Sequence, residues 1–151
     1  PNYELHIYGN GDYADEIDEI SKHNNNVKHF PSQPNTTIVE KEKRAFLLVN
    51  PRPTNEEYTK YSFPSKNMEY MVSGTAVLTT NLPGMPYEYK QYVYLIEDES
   101  EDGICTAFKK IAMLNENEVI EKGKEARDFV LSKKNNKIQT EKILSMVNER
   151  A

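Results

Sequence analysis

Short apolar segments alternating with amphipathic ones predict an α/β fold: a doubly wound, Rossmann-like parallel sheet of about five strands with flanking helices. Three observations carry that expectation. Residues 45–50, Ala-Phe-Leu-Leu-Val-Asn, form a continuous apolar run, as a strand buried on both faces requires. Gly9-Asn10-Gly11 makes a sharp turn between a strand pattern and a helix pattern. Apolar residues at three- and four-residue spacing then recur in the segments between later strand candidates.

In chain order, residues 3–8 read as the first strand. A helix follows with Asp12 as its N-cap and with Tyr13, Ile17 and Ile20 on one side. Asn24-Asn25-Asn26 stops it, and residues 27–30 make a second short strand. Residues 31–34 are loop, and 36–43 are helical despite β-branched residues. The apolar run is the third strand, left by a polar, proline-containing loop over 51–62. Pro64 suits the first turn of a helix, and Gly74 suits the left-handed residue that ends one. Met68, Met71 and Val72 give that helix an apolar side, while Lys66, Glu69 and Tyr70 cluster elsewhere on it. Strands follow at 76–80 and 92–96, separated by a loop around Pro83-Gly84-Met85-Pro86. The acidic run 97–102 leads into a helix bearing Ile104, Phe108 and Ile111. A second helix carries Val119, Ile120, Ala126, Phe129 and Val130, and a third starts near Lys137.

Length and composition bound the function. At 151 residues the chain is one domain by size, and 28% charged residues mark a globular protein. No apolar run approaches the roughly 18 residues of a membrane span. A formal net charge of −5 argues against nucleic-acid binding, which needs clustered Lys and Arg. The single cysteine, Cys105, excludes an intramolecular disulfide, fits a reducing compartment and is expected to be buried filler in an apolar helical stripe. His6, His23 and His29 lack metal-ligand spacing, and no Asp-x-Asp triplet occurs.

The candidate chemistry gathers at the helix that Pro64 begins. Free backbone amides at a helix start, with Ser65 and Lys66 beside them, make an anion site. Glu69, one turn deeper, is placed to accept sugar hydroxyls. The simpler alternative is a Lys66–Glu69 pair on a solvated helix face. Placement after an apolar strand favours a ligand site, because open α/β sheets bind ligands beyond the carboxyl ends of their strands. Arg52 leaves the same strand end and either grips phosphate or pairs with Glu56 or Glu57. Gly9-Asn10-Gly11-Asp12-Tyr13-Ala14 matches a dinucleotide fingerprint in form. It lacks the ribose-binding acid at the end of the next strand, which closes His29-Phe30-Pro31, and its helix start is crowded with carboxylates. A NAD-dependent oxidoreductase is therefore disfavoured. A receiver-like interaction domain of flavodoxin-like order is disfavoured too, because its acidic strand ends are replaced by Gly9 and Asn50.

Phe63-Pro64-Ser65-Lys66-x-x-Glu69-Tyr70-Met71-x-Ser73-Gly74-x-x-Val77, followed by Leu82-Pro83-Gly84-x-Pro86-x-Glu88-Tyr89, closely resembles the donor-binding domain of retaining GT-B-fold glycosyltransferases, family four (group 1) in particular. The resemblance extends over nearly the whole chain, so residues 1–151 are expected to be one nucleotide-sugar-binding domain. It implies a metal-independent transferase with no cofactor, whose donor substrate is a nucleotide-diphosphate-sugar and whose acceptor is a glycan or polysaccharide. It further implies that Pro64, Ser65 and Lys66 meet the donor diphosphate or sugar, that Lys66 is catalytic, and that Glu69 holds the ribose. Gly9, Phe30 and Arg52 complete the expected donor-binding set. The family's usual earlier glutamate is replaced by Tyr61, which puts the identity of the sugar in doubt. A start at Pro1 and the lack of the family's first strand suggest a fragment whose acceptor-binding N-terminal domain is missing. On that reading the fragment is inactive alone, the sheet order is 2-1-3-4-5 or leaves a slot through which copies dimerise, and the whole enzyme lies in the cytoplasm at the inner face of the cell membrane.

Overall fold

Five strands form in the computed structural model, which describes residues 3–149, and all of them pair in parallel. They lie in two sheets, one of two strands and one of three, one in each of two compact units, Pro1–Lys41 and Glu42–Ala151. Of the two arrangements expected, the continuous order 2-1-3-4-5 does not form among the described residues, because the first and third strands are not paired.

In the first unit, β1 (Leu5–Tyr8) pairs with β2 (Val27–Phe30), with Tyr8 opposite Phe30. Between them α1 (Ala14–His23) carries Asp15 and Glu16 in its first turn and Lys22 and His23 in its last, each sign favourable to the helix dipole. Its N-cap is Tyr13 rather than Asp12, and no side chain caps it. The chain turns into the helix through a backbone bond from Ala14 N–H to the Gly11 carbonyl (3.0 Å), which leaves Asp12 in the turn. Gly9 adopts φ +143°, a value that suits glycine alone. The Phe30 ring stacks on Tyr8 at 4.8 Å and meets the His6 edge at 5.4 Å. Helix α2 (Asn35–Glu42) runs from this unit to the first residue of the second.

In the second unit, β3 (Leu48–Asn50), β4 (Val77–Thr80) and β5 (Tyr94–Ile96) form a sheet in that order. The fully buried strand is β4, not β3. An edge strand has one ladder partner, so the apolar run 45–50 is only half-buried, and its ladder residues begin at Leu48. The pleat of β4 splits the core. Val77 joins α3 (Ser65–Ser73) and α6 (Glu116–Lys133) on one side, and Leu78 joins Ile111 of α5 (Glu101–Ala112) on the other. Helices thus cover both faces, the layering of a Rossmann-like domain. Gly123 lets α6 approach α3, because a Cβ there would lie 2.3 Å from the Gly74 carbonyl. A single-turn α4 (Tyr87–Lys90) sits between β4 and β5. The last helix, α7 (Asn136–Asn148), buries no residue.

Several side chains depart from expectation. Cys105 is exposed rather than buried filler. It follows Ile104 by one residue, about 100° around the helix, so it points away from the face that packs on β4 and β5. Val72 and Ile120 are exposed for the same reason, and Asn67 takes the buried place on α3 beside Met71.

Candidate functional site

The start of α3 is fixed to the carboxyl ends of β3 and β4 by a buried polar network. Asn50 Nδ2 donates to Asn67 Oδ1 (2.6 Å), Asn67 Nδ2 donates to the Thr79 hydroxyl (3.2 Å), and that hydroxyl donates to the Asn50 carbonyl (3.1 Å). Asn67 and Thr79 are fully buried, so each link is made in a low-dielectric interior where an unpaired amide or hydroxyl is costly. Pro64 is the N-cap of α3 in an extended conformation, one position ahead of the first turn, and is itself buried. No side chain caps the helix, and Ser65 stands exposed at its first turn. Of the first-turn amides, Asn67 N–H already donates to the Pro64 carbonyl (3.0 Å). A helix start without a side-chain cap at the carboxyl end of a parallel sheet is the kind of end at which anions can be accepted.

Lys66, Glu69 and Tyr70 share one side of α3. Lys66 Nζ lies 2.9 Å from Glu69 Oε2 and 5.6 Å from the Tyr70 ring centroid. Both members of the pair are only partly exposed, at 42% and 34%. The bond to Glu69 is the main reason the Lys66 ammonium is held above its ordinary pKa; partial burial opposes it. Burial raises the Tyr70 phenol, and Lys66 counteracts it. Glu42, at the end of α2, lies within Coulombic reach of this group and is 5% exposed. Neither of its carboxylate oxygens has a hydrogen-bond partner. Burial raises its pKa, Glu69 raises it further, and Lys66 lowers it. The cluster is therefore one lysine among two carboxylates and a phenol.

Arg52 is exposed, and its backbone N–H donates to the Thr80 hydroxyl at 2.8 Å, which pins the loop after β3 to the end of β4. Among the described residues no ion pair joins it to Glu56 or Glu57. The loop ahead of α3 is braced by Gly84, whose N–H donates to the Thr59 carbonyl (3.0 Å) and whose missing Cβ would sit 2.6 Å from the Ser62 carbonyl. Tyr61 in that loop is 83% exposed. Arg52, Pro64, Ser65, Lys66 and Glu69 all fall in the second unit, Arg52 tied by its backbone to the end of β4 and Lys66 paired with Glu69 on α3, while Gly9 and Phe30 fall in the first unit. A pocket of about 330 Å³ lies elsewhere, between β5 and α5. Its lining includes Glu97, Asp98 and Asp102 against a single Lys110, a charge balance that repels a diphosphate. Among the described residues there is no cluster of three or more His, Cys, Asp or Glu able to hold a metal.

Sequence reasoning missed Asn50, Asn67, Thr79 and Glu42. Asn67 had a signal: it precedes Met71 by one helical turn, so the periodicity that buries Met71 buries it as well. Glu42 had none, because its burial comes from tertiary packing.

The family model described as Glycosyl transferases group 1 matches residues 1–130. Comparison with curated proteins gives no match.

Proposed function

The chain belongs to the group 1 glycosyltransferases, and from that premise we propose that it binds a nucleotide-diphosphate-sugar and serves a retaining, metal-independent transfer to a glycan or polysaccharide acceptor. The observation that carries the reading is the uncapped start of α3, held at the β3 and β4 ends with Lys66 and Glu69 beside it. On this proposal the α3 amides and the Lys66 ammonium take the charge that develops on the departing diphosphate, and Glu69 accepts the ribose hydroxyls. The ion pair between them is no obstacle. An i,i+3 pair on a helix contributes roughly 0.2–0.5 kcal/mol, whereas one charge-assisted hydrogen bond to a ligand contributes roughly 1.5–3 kcal/mol. A diphosphate can therefore draw Lys66 away and leave Glu69 free for hydroxyls. Arg52 is a second phosphate-facing cation in this scheme. Gly9 and Phe30 enter the donor-binding set through the family resemblance alone.

Among the described residues no helix is long and apolar enough to cross a membrane. For location, the proposal is a cytoplasmic enzyme peripheral to the inner face of the cell membrane.

The test is calorimetric titration of uridine and guanosine diphosphates and their sugar conjugates, followed by kinetics with an active acceptor. Glu69→Gln is expected to weaken donor binding by about 1.5–3 kcal/mol. Lys66→Ala is expected chiefly to lower kcat, since its charge acts as the bond breaks. Wild-type constants in both variants, with melting unchanged, would move the donor site away from α3.

A further inference from the structure

The ring of His29, on β2, is 8% exposed and sits between two hydrogen-bond acceptors. Its Nδ1 is 2.7 Å from Asp18 Oδ1 on α1, and its Nε2 is 2.9 Å from the Gly9 carbonyl oxygen at the end of β1. A carboxylate and a carbonyl both accept and neither donates. A neutral imidazole has a single N–H, so it satisfies only one of the two; the imidazolium, with two N–H groups, satisfies both. We propose that His29 is a positioning residue: as an imidazolium it clasps the Gly9–Asn10–Gly11 turn, and loss of its Nε2 proton releases the Gly9 carbonyl.

The order of release follows from bond strength. Nδ1–H donates to a charged acceptor, the stronger of the two bonds, so the proton that leaves is on Nε2. A ring lone pair then faces the Gly9 carbonyl lone pair, and that contact becomes repulsive. Gly9, at φ +143°, is where the backbone can respond. Two other bonds hold the turn whatever the state of the ring: Gly9 N–H to the Phe30 carbonyl (3.0 Å) and Ser32 N–H to Asn10 Oδ1 (3.1 Å). The clasp therefore adjusts the turn without unfolding it. Asp18 is the charged group that meets the ring from α1; β1 presents the apolar Ile7 across the ladder, and the turn presents only its neutral carbonyl. In agreement, the ring's pKa is raised, first by the Asp18 bond and next by the Gly9 bond, with desolvation opposing. A raised histidine contributes its stabilisation fully below the unfolded value of about 6.5 and loses it as pH rises through the folded value. Any effect of the clasp on donor binding rests on the proposed donor role of Gly9.

Nitrogen-detected NMR of the His29 ring across pH 5–9 tests the clasp directly. The expected result is a doubly protonated ring at pH 6, a midpoint above that of an unstructured histidine, and Gly9 and Gly11 amide shifts that follow the same midpoint. Asp18→Asn should move the midpoint down, and His29→Gln should make the glycine shifts insensitive to pH. A ring with one N–H at pH 6, or glycine amides blind to its titration, overturns the proposal. A second readout is uridine diphosphate and guanosine diphosphate affinity, expected to weaken several-fold through the His29 midpoint in the parent and to stay flat in His29→Gln. If the ring and glycine signals behave as expected but neither nucleotide binds at any pH, the clasp stands and the donor reading falls.

Discussion

Glu42 should weaken this fold at neutral pH, and removing its charge should strengthen it. Glu42 is 5% exposed, and neither of its buried carboxylate oxygens is hydrogen-bonded. The Thr75 hydroxyl beside it donates instead to the Glu42 backbone carbonyl at 2.7 Å. Burial raises the carboxyl above its ordinary pKa, with Glu69 adding to the rise and Lys66 reducing it. A carboxyl raised on folding binds its proton more tightly in the native state. Stability is therefore greatest in acid and falls as pH climbs from about 4.5 through the native value. Above that window a desolvated, unpartnered polar group costs roughly 1–3 kcal/mol, and a charged one at least as much. Glu42→Gln keeps the shape and removes the charge; Glu42→Met removes the polar group as well. At pH 8 both variants should exceed the parent by about 1–3 kcal/mol, and below pH 4 the gain should shrink. At this chain length that is roughly 2–4 °C in Tm for each kcal/mol. Urea unfolding at pH 4 and pH 8, with m-values compared to confirm the same transition, gives the numbers. If both variants are less stable than the parent at pH 8, the carboxylate has a favourable partner in the fold and the argument from burial is wrong.

The sequence revealed elements wherever a local rule decided the outcome. Gly74 was legible because a helix ending in a left-handed residue needs glycine, and it has φ +83°. The second strand was legible because Asn24-Asn25-Asn26 cannot continue a helix, and β2 spans the expected Val27–Phe30. The apolar run 45–50 misled on burial, because Phe46 and Leu47 are apolar for packing against the α5-side core, not for sitting in a central strand. Nothing local distinguishes those two reasons. Cys105 was misplaced by reading an apolar stripe one residue too wide. At the candidate site, the spacing of Lys66, Glu69 and Tyr70 was enough to group them, since one helix holds all three. The Asn50–Asn67–Thr79 network was not legible, because its members come from three elements whose register only the folded sheet sets. His29 lay hidden for the same reason: it meets Asp18 and Gly9, which are far from it along the chain.

Two further substitutions probe how α3 is held. Gly123→Ala sets two effects against each other: helix propensity favours alanine by about 1 kcal/mol, while the new Cβ would lie 2.3 Å from the Gly74 carbonyl and 2.7 Å from the Ala76 nitrogen. Backbone cannot yield as a side chain can, so overpacking should win and destabilise by roughly 1–3 kcal/mol in urea unfolding; a stabilised variant would mean that α6 does not pack this closely. The last prediction concerns Asn67, whose amide joins the strand ends to the helix that carries Lys66 and Glu69. Asn67→Leu removes an acceptor from Asn50 Nδ2 and a donor from Thr79, and should cost about 1–3 kcal/mol. Thr79→Val removes the other side of the same network, including the bond to the Asn50 carbonyl. Once either partner is gone, the second substitution has less left to break, so the double variant should lose less than the sum of the singles, by roughly 0.5–3 kcal/mol. Additive losses within about 0.3 kcal/mol would show that the two side chains act independently. In that case the start of α3 is located by its apolar packing, and the polar network is a passenger.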